Sequence, residues 1–301
     1  MQPATINVKS IFFVLLLAIC ILHGCTPKPL LIDVEQIEPK IVVASQIIPG
    51  QAMFIGLTRS FGALEMNADS DSVSNEFLDK LLLDHALVTV SYMDQTDTLY
   101  KLEKGIYVSV LTPQYHHEEY RLYVYDSTDG SEVFAMTTML PQVGFDSVYP
   151  YIEKNGDDTI VYLHYSFTDP PEENWYMVNY YKNQDNDTAA GFDLNNYFNR
   201  GDNVLIHTDV LSDKTFESQY YEATIALYGA AATDSIAVTM SNISEDYYKF
   251  LDLRNKSQNW FAEVTNEPIN YPTNVIGGLG FFNTHFPDVR FFDLNNFEIE
   301  Y

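Results

Sequence analysis

Cys25 is the residue whose type and spacing point most directly to a chemical role. It ends the sequence Leu22-His23-Gly24-Cys25, in which an apolar residue lies three positions before the cysteine and a small residue directly before it. This pattern resembles a bacterial lipobox, where the cysteine thiol receives a lipid. The other cysteine, Cys20, follows Ile19, which is too large for a signal peptidase site. We therefore predict lipid attachment, with palmitate among the acyl chains, at Cys25.

The residues before Cys25 predict a targeting segment. Lys9 precedes an apolar run from Ile11 to Leu22, which is too short to cross a hydrocarbon core of about 30 Å and is typical of a signal peptide. We predict a lipoprotein signal peptide over residues 1–24 and a lipid-anchored tether over residues 25–38. An ordinary cleaved secretory signal and a short membrane anchor are the alternatives.

A second recurring pattern is Asp followed by Ser or Thr and then an aliphatic residue, Met or Thr. It occurs seven times, where the composition predicts roughly one occurrence, and it resembles an O-glycosylation signal of exported bacterial proteins. Turn formation by Asp-Ser and Asp-Thr pairs is the alternative explanation. The predicted modification sites are Ser72, Thr98, Ser127, Ser147, Thr159, Thr188 and Ser235.

The remaining candidates for catalysis or metal binding are weak. The sequence has no G-x-S-x-G elbow, no H-E-x-x-H pair and no Walker loop. Adjacent residues of His116-His117-Glu118-Glu119 would point to opposite faces of a strand, which disfavours a metal site. Acidic loops at Asp69/Asp71 and Asp185/Asp187/Asp193 offer oxygen ligands without the spacing of a calcium loop. We predict no catalytic residues, no enzyme activity, no metal site and no cofactor, with a structural calcium ion in these loops as the alternative.

The overall charge excludes one class of function. The chain has 301 residues with 42 acidic and 16 basic side chains, a formal net charge of −26. Such a surface repels nucleic acid and anionic lipid headgroups. We therefore expect contact with the membrane through the N-terminal lipid and no nucleic-acid partner.

The elements that would carry these residues are mostly strands. Short runs rich in β-branched and aromatic residues alternate with turn residues, beginning with a hairpin around Pro49-Gly50. The pattern predicts a mainly β protein, with an immunoglobulin/transthyretin-like β-sandwich over residues 39–145 and a second β-rich domain over 146–301. A helix is expected near 244–258, where Ser244 offers an N-cap, and a short one over 74–83. The glycines of Gly277-Gly278-Leu279-Gly280 predict a tight turn.

Aromatic side chains provide the candidate binding residues. Most of the tyrosines in predicted strands are expected to lie in the core, whereas exposed aromatic rings can stack on sugars or contact a protein partner. The candidates for such a binding platform are Trp175, Tyr176 and Trp260.

Several segments occur in an order that is typical of one family. They are Glu38–Val43, Leu57–Ser60, Asp146–Tyr149, Phe167–Pro171, Glu267-Pro268 and Asn274–Phe282. With these segments the chain resembles a Bacteroidetes family of outer-membrane lipoproteins of unknown function, which are usually encoded beside TonB-dependent receptors. The departures are the insert around Asn67–Asp84 and the tail after Asn283.

The resemblance implies an outer-membrane location and a β-barrel partner. We expect the protein on the cell-surface face of that membrane. We expect a non-enzymatic accessory subunit of an outer-membrane β-barrel, first of all a TonB-dependent transporter, that captures ligand, forms a lid or has a structural role. The alternatives are a lipoprotein subunit of the outer-membrane protein assembly machinery and a glycan-binding module of a nutrient-uptake system.

Overall fold

The computed structural model describes residues 38–49, 52–61, 80–109, 117–155, 158–183, 203–216, 219–257, 270–296 and 299–300. The signal peptide, Cys25, the tether, both acidic loops and most of the short helix predicted over 74–83 lie outside these ranges. The described residues are mainly β-structure with a helix near the C-terminus, which confirms the predicted fold class.

The described residues form eighteen strands and the helix α1 (Glu245–Ser257). The strands are β1 (Ile41–Ile47), β2 (Met53–Arg59), β3 (Ala86–Tyr92), β4 (Gln95–Thr98), β5 (Tyr100–Glu103), β6 (Ile106–Ser109), β7 (Glu119–Asp126), β8 (Glu132–Thr138), β9 (Ser147–Asn155), β10 (Asp158–Thr168), β11 (Trp175–Asn183), β12 (Asn203–Ser212), β13 (Tyr220–Ala226), β14 (Ser235–Ile243), β15 (Val275–Ile276), β16 (Leu279–Thr284), β17 (Asp288–Asp293) and β18 (Ile299–Glu300).

The first pair of sheets encloses one hydrophobic core. Sheet A has the strand order β16-β1-β2-β6-β5, and sheet B has the order β15-β8-β7-β3-β4. Alternate side chains of these strands, such as Ile55 and Leu57 in β2 and Val88 and Val90 in β3, are fully buried between the sheets. This alternation is what a sandwich requires, because successive residues of a strand point to opposite faces.

The second pair of sheets encloses a separate core that is rich in aromatic residues. Sheet C has the strand order β13-β10-β9-β18, and sheet D has the order β12-β11-β14-β17. Tyr165, Phe167, Tyr176 and Tyr180 are buried between them. Strand β9 begins at Ser147, directly after the domain boundary predicted at residues 145/146.

The last part of the chain contributes strands to both pairs of sheets. Strand β15 pairs with β8 of sheet B, β16 pairs in parallel with β1 of sheet A, and β17 pairs with β14 of sheet D. The division into domains at residues 145/146 therefore stays a prediction, and any division must assign residues 275–284 to the first pair of sheets.

Glycines allow the chain to cross from sheet B to sheet A at residues 277–280. Gly277 and Gly280 have φ angles of +82° and +87°, which favour glycine. A Cβ atom on Gly280 would lie 2.0 Å from the carbonyl oxygen of Val43 in the adjacent strand. The tight turn predicted for these glycines is confirmed, and their small size also allows the close approach of β16 to β1.

Helix α1 joins the two parts of the described structure. Its buried residues Tyr247 and Leu251 pack on Met177 and Ile243 of sheet D and on Phe281 of β16. The next residue of β16, Phe282, points the other way, into the core between sheets A and B. Among the described residues, no helix is long and apolar enough to span a membrane.

Candidate interaction surface

The outer face of sheet B exposes large apolar side chains on four neighbouring strands. We call this set the sheet B face, and it consists of Leu87, Tyr123, Tyr125, Phe134, Met136 and Ile276. The strand register places Leu87 opposite Tyr125, Tyr123 opposite Phe134, and Phe134 opposite Ile276. Cross-strand neighbours on one face have Cβ atoms about 5 Å apart, so these side chains form one continuous patch.

The patch is large for the surface of a monomeric protein. Ile276 is 67% exposed and Met136 is 53% exposed, and Leu87, Tyr125 and Phe134 are each more than a third exposed. A large side chain has about 200 Å² of accessible surface, so the exposed fractions of these five residues correspond to on the order of 500 Å² of apolar surface. This area is at the upper end of the range for the largest apolar patch of a monomer. Patches of this size are often functional.

Charged residues border the patch on β7 and β8. Tyr123 donates a hydrogen bond of 3.1 Å to Glu132, and Arg121 donates one of 2.6 Å to Glu119. The rings of Tyr123 and Phe134 are 4.9 Å apart, so the centre of the patch is aromatic. An apolar centre with a polar rim is typical of protein–protein interfaces.

The sequence contains a signal for this surface that our sequence reasoning missed. Strand β8 reads Glu132-Val-Phe-Ala-Met-Thr-Thr138, with four apolar residues in a row. Val133 and Ala135 fill the core, which leaves Phe134 and Met136 on the outer face. A strand that is apolar on both faces predicts that both faces are covered.

The outer face of sheet C carries a second, more polar aromatic surface. Tyr149 stacks on His164 with ring centroids 4.7 Å apart, and Tyr151 stacks on Tyr162 at 5.2 Å. Both pairs are cross-strand neighbours of β9 and β10. His164 Nδ1 lies 3.0 Å from the hydroxyl oxygen of Thr224 on β13. Aromatic rings with polar tips can contact sugars or wet protein surfaces.

A cleft of about 710 Å³ lies between β12 and β13, which are edge strands of sheets D and C. Its walls include Ile206, Ile225 and Leu227, and its polar groups are His207 and Asp209. His207 Nε2 is 2.8 Å from Asp209 Oδ1, and the hydroxyl of Tyr180 donates to Asp209 Oδ2 at 3.0 Å.

Hydrogen bonds connect two buried tyrosine hydroxyls to Asp209, a polar group of this cleft. The Tyr180 hydroxyl is 3.4 Å from that of Tyr165. Burial raises the pKa of both tyrosines above the ordinary value of 10, and the Asp209 carboxylate raises them further. Both side chains are therefore neutral at pH 7. The arrangement can bind a small polar ligand.

The predicted aromatic binding residues have different environments. Trp175 is half-buried at the start of β11, where Lys214 Nζ lies 5.7 Å from its ring centroid. Tyr176 is 0% exposed, because it points to the inner face of sheet D and packs against Phe167. The expectation of an exposed platform is therefore corrected for Tyr176. Trp260 lies outside the described residues.

The predicted glycosylation sites that fall within the described ranges lie at or near the surface. Thr98, Ser127, Ser147 and Thr159 are exposed, and Ser235 is half-buried. The Ser127 hydroxyl donates to the carbonyl oxygen of His85 at 2.9 Å, and the Ser147 and Ser166 hydroxyl oxygens are 2.8 Å apart. Ser72 and Thr188 lie outside the described residues. Modification of these sites stays a prediction.

Within the described ranges, no group of three or more His, Cys, Asp and Glu residues is arranged to bind a metal ion. His117 has a φ of +63° and lies in the turn before β7, and His116 is outside the described residues.

The chain belongs to the family described as "Domain of unknown function (DUF4249)", whose model matches residues 27–285. No curated protein matches the chain. Among solved structures, it is similar to trypsin-activated alpha-2-macroglobulin from Escherichia coli, with 10% sequence identity, 69% of this chain and 15% of that chain covered, and a TM-score of 0.21. The chain thus spans about 15% of the length of that protein, and a similarity this low carries no argument about fold or function.

Proposed function

We propose that this protein is a lipid-anchored accessory subunit of an outer-membrane β-barrel on the surface of Bacteroidetes cells, without enzymatic activity of its own. A TonB-dependent transporter is the first candidate for the barrel, with ligand capture, a lid or a structural role for this subunit. The observation that carries the proposal is the sheet B face, whose apolar side chains lie on the outside of a sheet that already has a complete core on its other side.

The charge of the chain favours a protein over a lipid bilayer as the occupant of this face. The net charge is −26, and Glu119 and Glu132 border the patch. Anionic headgroups would repel such a surface, whereas a protein can offer apolar side chains in the centre and basic ones at the rim.

The predicted anchor is compatible with contact near the membrane. Cys25 and Ile41, the first residue of β1, are 16 positions apart in the sequence. A chain of this length reaches at most about 50 Å when fully extended. The folded part would therefore stay close to the outer rim of a neighbouring barrel.

The test is affinity capture of the tagged protein from outer membranes in mild detergent, followed by mass spectrometry. We expect a stoichiometric β-barrel with the wild type and its loss with Phe134→Glu/Met136→Glu, because these changes introduce two charges into the apolar centre. Tyr100→Glu is the matched control, since Tyr100 is an exposed aromatic residue on sheet A, and it should retain the barrel. A wild-type protein that is recovered without a barrel would refute the proposal.

The identity of the captured barrel distinguishes the transporter from the alternative assembly role. A TonB-dependent receptor supports the first, and the central barrel of the outer-membrane assembly machinery supports the second.

A glycan-binding module is the second candidate function, and the aromatic pairs on sheet C favour it. If it is correct, the purified protein binds oligosaccharides without a partner. Tyr149→Ala, which removes the more exposed ring of its pair, then abolishes binding, whereas Tyr100→Ala does not.

A further inference from the structure

Four polar side chains meet at one end of the second pair of sheets. Asp169 follows β10, Asn174 precedes β11, Asp213 follows β12, and Asn242 is the second-last residue of β14. A main-chain hydrogen bond joins two of these segments, since Asp213 N donates to Asn174 O at 3.3 Å.

Hydrogen bonds fix the orientation of both amides. Asn174 Nδ2 donates to the carbonyl oxygen of Glu172 at 2.6 Å, so the other amide atom of Asn174 is the oxygen. Asn242 Nδ2 donates to that oxygen at 3.1 Å. If the amide of Asn242 were flipped, two oxygens would face each other.

Two oxygen atoms of the cluster are buried without a hydrogen-bond partner. One is Asn242 Oδ1, on a side chain that is 5% exposed and that is held in the cluster by its bond to Asn174. The other is Asp213 Oδ1, whose neighbour Oδ2 accepts a hydrogen bond of 3.1 Å from Asn174 N. Buried polar atoms in native proteins nearly always have a partner, so these two oxygens indicate a bound species.

The cluster also contains two carboxylates. Asp169 is 7% exposed and accepts a hydrogen bond from the Tyr176 hydroxyl. Lys214, the nearest lysine in sequence to Asp213, pairs instead with Glu173. Among the described residues, no basic side chain forms an ion pair with Asp169 or Asp213.

We propose that Asp169, Asp213 and Asn242 bind a calcium ion, with Asn174 as the positioning residue. Oxygen donors of mixed carboxylate and amide type suit Ca²⁺, which accepts irregular sets of six to eight oxygen ligands, including waters. The two carboxylates balance the charge of the ion. This site differs from the acidic loops that the sequence suggested, and it does not depend on the proposed function.

Such an ion would connect the two sheets, because Asp169 directly follows β10 of sheet C, Asp213 directly follows β12 of sheet D, and Asn242 lies in β14 of sheet D. Its expected effect is therefore on stability. With 1 mM Ca²⁺ and a Kd on the order of 10 µM, the melting temperature should rise by roughly 5 °C relative to EDTA.

The experiment uses the full-length protein purified in detergent and freed of metal with EDTA. Thermal unfolding is followed by circular dichroism with and without CaCl₂, and Tb³⁺ luminescence excited through Trp175 and Tyr176 reports occupancy. We expect one equivalent of Tb³⁺, displaced by Ca²⁺, and at least a tenfold weaker affinity in Asp213→Asn. The control is Glu222→Gln, which removes an exposed carboxylate of β13 and should change nothing.

Asn242→Asp distinguishes an ion from a buried water molecule. In EDTA this variant places a third carboxylate in the cluster and should unfold at a lower temperature than the wild type, whereas CaCl₂ should restore it. The proposal is overturned if CaCl₂ does not change the wild-type melting temperature, or if it raises that of the wild type and Asp213→Asn equally, because the effect would then come from the acidic surface in general.

Discussion

Mild acid should destabilise this protein through His285, which lies directly after β16. The side chain is 2% exposed, its main-chain N–H donates to Ile47 O at 2.9 Å, and its Nδ1 lies 2.8 Å from the hydroxyl oxygen of Ser241. Burial lowers the pKa of His285 from 6.5 to about 4. Because the folded-state pKa is the lower one, the stabilising effect is complete above pH 6.5 and is lost as the pH falls towards 4.

The loss of unfolding free energy depends on the difference between the unfolded-state pKa of 6.5 and the folded-state pKa of about 4 for His285. At 1.36 kcal/mol for each pH unit, complete protonation of the folded state would cost about 3 kcal/mol. At pH 5 the unfolded state is almost fully protonated and the folded state is not, so roughly 2 kcal/mol of unfolding free energy is already lost relative to pH 7.

Urea unfolding at pH 7, 6 and 5 measures this loss when the wild type is compared with His285→Gln. Titration of the other ionisable groups cancels in the difference. We expect the two unfolding free energies to converge by roughly 2 kcal/mol between pH 7 and 5. Ser241→Ala is the control, since it removes the hydroxyl but leaves His285 buried, and it should keep the wild-type pH dependence. Equal pH dependence in the wild type and His285→Gln would refute the reasoning.

Three further predictions concern the stability of the fold. Gly280→Ala places a Cβ atom against Val43 O at a positive φ and should lower the unfolding free energy by about 3 kcal/mol in urea titrations, whereas Gly130→Ala, with a positive φ but open space, should cost less. Arg59→Met removes the ion-pair partner of Asp126, whose side chain is 2% exposed, and of Asp129, and should cost about 3 kcal/mol at pH 7. Arg59 holds the pKa of Asp129 below its ordinary value of 3.8, so the difference from the wild type should shrink when unfolding is measured below that pH. For the Tyr151–Tyr162 stack, a double-mutant cycle with alanine should give a coupling of about 1 kcal/mol, and a coupling of zero would mean that the rings do not interact in solution.

Local patterns in the sequence predicted the regular elements best. The hairpin of β1 and β2 follows from the turn residues at Pro49-Gly50 and from alternating apolar side chains, and it is confirmed by the antiparallel pairing of the two strands. Helix α1 was predicted within one residue at each end, because Ser244 is a strong cap and its hydroxyl oxygen accepts from Tyr247 N at 3.3 Å.

The strands that sequence reasoning missed lack a clear local signal. Strand β9 contains Pro150, which lies opposite Leu163 of β10 and outside the pairing of β9 with β18, and a proline disfavours a strand assignment from sequence. Strands β15 and β16 are short, and their glycines read as a turn, because nothing local indicates that β16 pairs with β1 more than 200 residues earlier.

The candidate surfaces also depend on the strand register and on pairing between distant segments. The aromatic content of the chain suggested a binding platform, but only the register decides which rings are exposed. Tyr176 lies in the core, whereas Phe134 and Met136 lie outside because Val133 and Ala135 occupy the inner face of β8. The oxygen cluster at Asp169, Asp213 and Asn242 combines residues from distant segments, so its ligand spacing cannot be read from the sequence.

Site-specific photo-crosslinking in intact cells tests the central claim most directly. A photoreactive phenylalanine analogue would replace Phe134 in one strain and Tyr100 in another, and the adducts would be identified by mass spectrometry. The account predicts an adduct with an outer-membrane β-barrel from position 134 and none from position 100. Adducts from neither position, or equally from both, would contradict a role of the sheet B face in binding a barrel.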